Sequence, residues 1–322
     1  MTSAAPRRCA VSVDLDSIDC YYRIHALGPA PAELRHTILE RALPRAADLF
    51  ARRGLHVTWF VVGQDIDAAR PDPACATNAE RLRALHAAGD ELGNHSYSHF
   101  YDLARRPAAV VHAEIAGGDR VLRGLTGGVV PGFRAPGYDV SAAMMTSLAR
   151  LGYRYDSSVF PAPAYYVAKA AVMAVLALAG RPSGAVMTNP RALGAPTDPY
   201  RPAMGAPWRR GQAPLVELPV AVTPYARLPA IGTSLLVAPA PLRDRLVAWM
   251  ARRALFNFEL HGIDFADAER DGIPGELVAR QPDLRIPIDD KLARLDALLD
   301  QVARDRDFAL LAAVATDVQR TQ

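Results

Sequence analysis

The sequence has little lysine, little cysteine and no strong excess of charge of either sign. Its two lysines are Lys169 and Lys291, so arginine carries almost all of the positive charge, and the formal net charge is only +3 over 322 residues. Without a dense basic block, the composition gives no support for nucleic-acid binding. Three cysteines at irregular spacing make neither a disulfide framework nor a cysteine-based zinc site. They favour a reducing compartment, and we expect a cytoplasmic protein.

Long apolar runs are also missing. The longest helical apolar run, residues 167–179, is well short of the roughly 20 residues that span a bilayer. The basic start, residues 1–8, leads into a short apolar run that ends at Asp14 and Asp16, which indicates a first strand rather than a secretory signal. We expect residues 1–322 to form one domain, since the hydrophobic content of 50% suffices for a large core.

Strand-like and helix-like segments alternate along the chain. β-branched and aromatic runs predict strands at 9–13, 56–62, 91–93, 129–133, 153–155, 214–222, 255–260 and 308–314. Helical spacing and terminal glycines predict helices at 32–53, 78–88, 108–125, 141–151, 241–253 and 288–304. The alternation predicts a parallel sheet, and the number of units favours a distorted α/β barrel of seven or eight strands.

One segment interrupts this alternation. Residues 161–208 are rich in proline, glycine and alanine and contain the apolar helical run. We expect an insertion over the barrel mouth. Its helix either packs on the barrel or, through residues 165–180, also contacts a membrane surface or a lipid tail.

Polar residues follow the predicted strands where a β/α barrel builds its site, at the carboxyl ends of the strands. Asp14 and Asp16 follow the first strand, while His95 and His99 follow the third. If His95 and His99 share one helical turn, both imidazoles face the same side and can hold a metal ion with one carboxylate. Read alone, such a histidine pair is more often surface chemistry than a metal site.

Arg134 and His261 stand at two further strand ends. Taken alone, Arg134 is best interpreted as a structural salt-bridge partner. His261 could be a core histidine whose hydrogen bonds are satisfied. The acidic run of Asp264, Asp267, Glu269 and Asp271 predicts a solvated loop, or else one that contacts a cationic product amine.

Together these segments resemble the polysaccharide deacetylase family, also called the NodB-homology or carbohydrate esterase 4 group. Asp-Leu-Asp at 14–16 looks like its first motif in an Asp-x-Asp form. His-Ser-Tyr-Ser-His at 95–99 matches its second motif closely. Arg-Ala-Pro-Gly at 134–137, Tyr-Asp-Ser-Ser at 155–158 and Leu-His at 260–261 resemble the third, fourth and fifth. The resemblance implies a NodB-type barrel and a metal-dependent hydrolase that removes an acyl group from an amino sugar.

The resemblance also implies roles for individual residues. Asp16, His95 and His99 would bind a divalent metal, for which zinc is expected. Asp14 would be the general base and His261 the acid that protonates the leaving amine. Arg134 would hold Asp14 ionised and aligned, and the substrate would be bound by Pro136, Gly137, Tyr138 and Asp156.

The motifs depart from the family pattern in three places, one of which is that the fourth motif lacks the expected tryptophan. Leu15 separates two aspartates that are adjacent in the common form, and Gly137 comes one place early, so the backbone N–H that completes the oxyanion hole near Tyr138 is not assigned. The Asp-x-Asp form and the apolar insertion favour a glycolipid or nucleotide-linked amino sugar, at the inner face of the membrane. The sugar, the acyl group and the oligomeric state stay open.

Two other functions are compatible with the same barrel. One is a metal-independent amidohydrolase acting on a small amide or ureide. The other is a carbohydrate-binding protein without catalysis. Metal analysis separates the first from the deacylase, and replacement of Asp14 separates the second.

Overall fold

A parallel sheet forms the centre of the computed structural model, which describes residues 7–321. The first six residues, which belong to the segment predicted not to be a signal, lie outside the described residues, as does Gln322. The strands are β1 (Arg8–Asp14), β2 (Thr58–Val61), β3 (Glu91–Asn94), β4 (Gly132–Phe133), β5 (Tyr155–Asp156), β6 (Pro202–Ala203), β7 (Ala206–Arg210), β8 (Val216–Glu217), β9 (Leu255–His261) and β10 (Asp307–Phe308).

Eight of these strands form one sheet, and β6 and β7 form a separate antiparallel hairpin. β1 pairs along its full length with β9 on one side, and with β2 and the short β10 on the other. From β2 the sheet continues through β3, β4 and β5 to β8, always in parallel. The predicted β/α barrel is therefore confirmed, in the form of a curled, open sheet.

The sheet has a seam between β8 and β9, which are not paired as strands. Asn257 of β9 bridges it, since its backbone carbonyl accepts from the amide of Ala221 at 3.2 Å. Its side-chain amide also reaches the carbonyls of Leu218 and Pro219, at 2.8 and 3.1 Å, and Ser157 Oγ at 2.9 Å. This polar contact takes the place of the missing ladder.

Helices surround the sheet. They are α1 (Ile18–Ile24), α2 (Leu43–Arg52), α3 (Pro73–Ala87), α4 (Ala108–Thr126), α5 (Ala142–Leu151), α6 (Pro163–Leu178), α7 (Gly232–Val237), α8 (Ala240–Met250), α9 (Ala268–Asp271), α10 (Gly275–Val278), α11 (Ile288–Ala303) and α12 (Leu311–Thr321). A short π-helical stretch, Ile38–Ala42, precedes α2. Ser141 caps α5 as expected, since its side chain accepts from the amide of Met144.

The structure corrects two of the predicted elements. The last predicted strand, 308–314, ends at Phe308, and the apolar residues from Leu311 onward begin α12, where they bury Leu311 and Val314 against the sheet. The predicted strand at 214–222 contracts to Val216–Glu217, and beyond it the amide of Ala221 bonds to Asn257 of β9. Short apolar runs do not distinguish a buried helix from a strand by periodicity.

The insertion at 161–208 contains α6, and β6 and β7 form a hairpin at its end. On α6 the side chains of Tyr165 and Lys169 line a pocket at the sheet's carboxyl edge. Its other face exposes Val167, Val175 and Leu178, which is 89% exposed. Across residues 7–321 the structure contains no helix long and apolar enough to cross a membrane.

Candidate active site

The parallel registers bring the predicted strand-end residues to one edge of the sheet. Asp14 lies opposite His261 in the pairing of β1 with β9. Asn94, one residue before His95, lies opposite Phe133, one residue before Arg134, in the pairing of β3 with β4. Because parallel strands have their carboxyl ends at the same edge of a sheet, residues far apart in sequence lie close together there.

The two histidines do not share a helical turn, contrary to the prediction. They follow β3 in an irregular loop in which Ser96 and His99 have positive φ angles, 64° and 54°. Ser96 Oγ accepts from the amide of His99 at 3.1 Å, and the Glu114 carboxylate accepts from the amide of Ser98 at 2.8 Å. This bonding holds the left-handed residues in place and turns both imidazoles to one side.

Asp16, His95 and His99 form a buried cluster. The Nε2 atoms of both histidines lie 3.1 Å from the same Oδ1 of Asp16. The three ligand atoms lie within 4.8 Å of one another. Asp16 Oδ1 and His99 Nε2 have no regular hydrogen-bond partner, although both are buried. Buried atoms without hydrogen-bond partners, in a set of two imidazoles and one carboxylate, are suited to bind a divalent metal that keeps open coordination positions.

Both imidazoles are oriented by contacts at their other nitrogen. His95 Nδ1 lies 2.7 Å from the backbone carbonyl of Arg134, to which it can only donate. His99 Nδ1 lies 3.3 Å from Cys20 Sγ, which Arg23 also contacts at 3.2 Å. A donating Nδ1 leaves Nε2 with a free lone pair, which is the tautomer that metal binding requires.

Arg134 connects Asp14 to the sheet beneath it. Its NH1 donates to Asp14 Oδ1 at 2.7 Å and to Ser12 Oγ at 2.9 Å, and its guanidinium lies 4.2 Å from the ring centre of Phe60. Ser157 accepts two further hydrogen bonds from it. Burial raises the pKa of Asp14, and the positive charge of Arg134 opposes that rise.

His261 is paired with Glu259, a residue that the motif analysis missed. Glu259 Oε1 lies 2.9 Å from His261 Nδ1 and accepts from the Tyr138 hydroxyl at 2.9 Å. Burial alone would lower the pKa of His261, but the Glu259 carboxylate raises it well above the ordinary value. The two residues are two apart on β9 and therefore face the same side. This two-residue spacing is the sequence signal from which Glu259 could have been predicted.

The residues predicted to bind substrate divide into two groups. Gly137 and Tyr138 line the pocket, both with positive φ, 68° and 61°. The amide of Tyr138 donates to Ala135 at 3.2 Å, so its side chain, and not its N–H, faces the pocket. Pro136 and Asp156 are buried outside the pocket wall. Asp156 accepts a hydrogen bond from Ser158, and burial, together with the charge of Asp156, raises the pKa of Glu217.

Of the four carboxylates in the acidic run after β9, only Glu269 is exposed, so the predicted solvated loop is wrong for the other three. Asp264, Asp267 and Asp271 are buried, at 0%, 6% and 1% exposure. Asp264 accepts from the amide of His261 at 2.9 Å and from the Thr233 hydroxyl at 2.9 Å, which fixes the chain directly after the strand. Buried carboxylates are retained when they are hydrogen-bonded or paired.

The pocket at this edge has a volume of about 220 Å³ and contains Asp14, Asp16, His95 and His261 in its wall. Four tyrosines also line it: Tyr21, Tyr101, Tyr138 and Tyr165. A wider cleft of about 780 Å³ adjoins it across His99 and Tyr101. The cluster of Asp16, His95 and His99 is thus reached from two sides.

A family model and a curated relative each match part of the chain. Residues 34–155 match the family model described as polysaccharide deacetylase, a segment that contains His95, His99 and Arg134. A curated relative, a peptidoglycan deacetylase from Helicobacter pylori, is 26% identical over 152 residues, which are 47% of this chain and 48% of that protein. The chain therefore spans about half the length of this curated relative.

Solved structures match over nearly the whole chain. A candidate polysaccharide deacetylase from Mycobacterium smegmatis has a TM-score of 0.59 at 18% identity, covering 99% of this chain and 95% of that one. The structure named Puue allantoinase has a TM-score of 0.58 at 14% identity, covering 98% and 91%. A second candidate deacetylase, from Pseudomonas aeruginosa PAO1, has 0.57 at 15% identity, covering 97% and 91%. At such identities the likeness shows the fold alone.

The curled sheet and its carboxyl-edge cluster define a β/α barrel of the NodB-homology class. The family match over residues 34–155 and the partial match to the curated relative confirm that the chain resembles the polysaccharide deacetylase family, as its motifs predict.

Proposed function

We propose that the protein is a metal-dependent hydrolase that removes an N-acyl group, acetyl or formyl, from an amino sugar. The observation that carries the proposal is that the Nε2 atoms of His95 and His99 both lie 3.1 Å from Asp16 Oδ1. The Nδ1 atom of each ring is held by a second contact, to the backbone carbonyl of Arg134 for His95 and to Cys20 Sγ for His99. Asp16, His95 and His99 would hold the ion, and their donor set favours zinc. When bound, the metal polarises the acyl carbonyl and activates a water molecule.

Asp14 is the general base in this proposal. Its carboxylate lies 3.9 Å from His95 Nε2, beside the metal ligands but held at its other oxygen by Arg134. A raised pKa makes the carboxylate a better proton acceptor, and the Arg134 contact keeps it ionised and aimed. Asp14 takes the proton of the attacking water.

His261 is the general acid. Its raised pKa keeps the ring protonated at neutral pH, and Glu259 holds the ring in position. An amine is a poor leaving group unless it is protonated, so amide cleavage needs such a donor. The Tyr138 hydroxyl lies 3.3 Å from Nε2 of His261, at the position where the leaving nitrogen would be protonated.

The substrate is proposed to be one acylated sugar unit of a larger molecule. The pocket, at about 220 Å³, is smaller than the roughly 300–1,000 Å³ typical of drug-sized ligands. The rest of the substrate would extend into the adjoining cleft. A glycolipid, handled at the inner face of the membrane from a cytoplasmic location, agrees with the exposed apolar face of α6.

Release of acetate or formate from a panel of acylated amino sugars, with and without added zinc, tests the activity. We expect release that a chelator abolishes and zinc restores. In Asp14→Asn, turnover should fall about 10²–10⁴-fold while the zinc content stays unchanged. Activity indifferent to chelation would instead support the metal-independent amidohydrolase. No release from any sugar, together with unchanged sugar binding in Asp14→Asn, would support a binding protein.

The lipid part has its own test. Replacing Val167, Val175 and Leu178 of the outer face of α6 with serine leaves the pocket wall intact. We expect binding to lipid vesicles and turnover of a lipid-linked substrate to fall, and turnover of a soluble acylated sugar to stay unchanged. Unchanged turnover of both would contradict membrane contact through α6.

A further inference from the structure

Lys169 is an unusual residue in this chain. Arginine supplies nearly all of the positive charge, and the other lysine, Lys291, is buried and bonded to Ile263, Ala266 and Asp283 at 2.8–3.3 Å. Lys291 thus has a structural role. Lys169 lies on α6, and its side chain lines the same pocket as Asp14 and His261.

Lys169 has no carboxylate partner among residues 7–321, and its contacts there are to aromatic rings. Its ammonium lies 5.9 Å and 5.7 Å from the ring centres of Tyr165 and Tyr166. The acidic side chain that most affects it, Asp139, already accepts hydrogen bonds from Thr188 and the amide of Asn189, at 3.2 and 3.1 Å. Burial lowers the pKa of Lys169 to about 8, so the ammonium is still largely charged at neutral pH.

Removing a cation from water without a counter-ion costs free energy unless a ligand that the cation binds offsets this cost. Here the cation borders a pocket of about 220 Å³ that also contains the reacting groups. An anion held by Lys169 would therefore lie within one sugar unit of the acyl group to be removed.

We propose that the pocket takes an N-acyl amino sugar that carries an anionic substituent, a carboxylate or a phosphate, and that Lys169 binds this anion. The proposal rests on the deacylase function proposed above and makes its substrate class more specific. The simpler reading is a lysine whose stem packs on Tyr165 and Tyr166 and whose ammonium is solvated. If that interpretation holds, the charge of the ligand does not change its affinity for the pocket.

Calorimetry on the zinc-loaded Asp14→Asn protein, in which turnover is blocked, separates the two readings. The ligands are N-acetylglucosamine, its 1-phosphate and N-acetylmuramic acid, which are neutral, phosphorylated and carboxylated. We expect at least one charged sugar to bind roughly tenfold or more tightly than the neutral one, as a charge-assisted hydrogen bond implies. The charged sugar that binds more tightly shows whether the pocket prefers a phosphate or a carboxylate.

Lys169→Met should remove this preference and leave the affinity for N-acetylglucosamine unchanged, and Lys169→Arg should keep part of it. Arg191→Met is the matched control, since Arg191 is an exposed cation of the same insertion outside the pocket wall, and it should have no effect. Equal affinity for charged and neutral sugars, or an equal loss for all ligands in Lys169→Met, would overturn the proposal. If this occurs while the wild-type protein still releases acyl groups from neutral sugars, the deacylase function stands without it.

Discussion

Single contacts decide the chemistry at the candidate metal site. The contact between Cys20 Sγ and His99 Nδ1, at 3.3 Å, is the clearest example, because it orients a proposed metal ligand from outside the cluster. The sequence offered no signal for it, since Cys20 lies in α1 and its partner is 79 positions further along the chain.

Cys20→Ala should weaken zinc binding about 10–100-fold, since His99 loses the acceptor that fixes its tautomer. Cys20→Ser should bind more tightly than Cys20→Ala, because a hydroxyl can accept the same hydrogen bond. Competition with a chelator measures the affinity. Cys75→Ala is the control, as Cys75 is also buried and free but lies apart from the cluster. Equal affinities in all variants would exclude an orienting role for Cys20.

Glu259 sets the pH range over which His261 can act as an acid. Since Glu259 raises the pKa of His261, activity should be lost as the pH rises through that raised value. In Glu259→Gln the pKa of His261 falls, so the alkaline limb of kcat/KM should move to lower pH. A pH–rate profile measures the shift. His261→Gln should remove the limb altogether, and an unmoved limb in Glu259→Gln would assign it to another group.

At the scale of elements, the sequence predicted the placement of the site better than its local geometry. Asp14, His95, Arg134 and His261 could be brought together because parallel strands end at one edge. The loop of His95 and His99 could not be predicted, because positive φ at Ser96 and His99 has no reliable signal in non-glycine residues.

The acidic segment after β9 shows the same limit and provides a stability test. Asp271 of α9 is buried and accepts two hydrogen bonds from Arg45 of α2, at 2.8 and 2.9 Å. Arg45→Met leaves a buried carboxylate unpaired, and the free energy of unfolding should fall by about 3–5 kcal/mol. Urea unfolding measures this loss.

The matched control is Arg270→Met. It removes a pair with Asp289 in which both side chains are more than half exposed, at 53% and 72%. Exposed pairs contribute about 0–1 kcal/mol, so this variant should be nearly neutral. Equal losses in the two variants would mean that burial does not determine the strength of the Arg45 pair.

At the scale of the whole molecule, one buried carboxylate makes stability depend on pH. Glu91 of β3 bonds to the Tyr155 hydroxyl and accepts from the amide of Ala312 in α12 at 3.0 Å. Burial raises its pKa from 4.5 to about 7. A carboxyl whose pKa is raised on folding contributes stability at low pH and loses it as the pH rises through the folded value.

Between pH 5 and pH 8, the wild-type protein should therefore lose roughly 3 kcal/mol of unfolding free energy that Glu91→Gln does not lose. Urea unfolding of both proteins at the two pH values gives the difference, in which the contributions of other groups cancel. Parallel pH profiles of the two proteins would show that Glu91 titrates normally when folded.

The seam between β8 and β9 has a consequence for motion. Around most of the described sheet, opening would break a backbone ladder, but at the seam the linking contacts are one amide of Ala221 and the side chain of Asn257. Thermal opening should begin there, and the amide of Ala221 should exchange with deuterium faster than those of the β1–β9 ladder. Asn257 also bonds Ser157, which in turn holds Arg134. Each such opening would loosen the hydrogen bonds that hold Asp14, so frequent opening at the seam would disturb the alignment of the proposed general base.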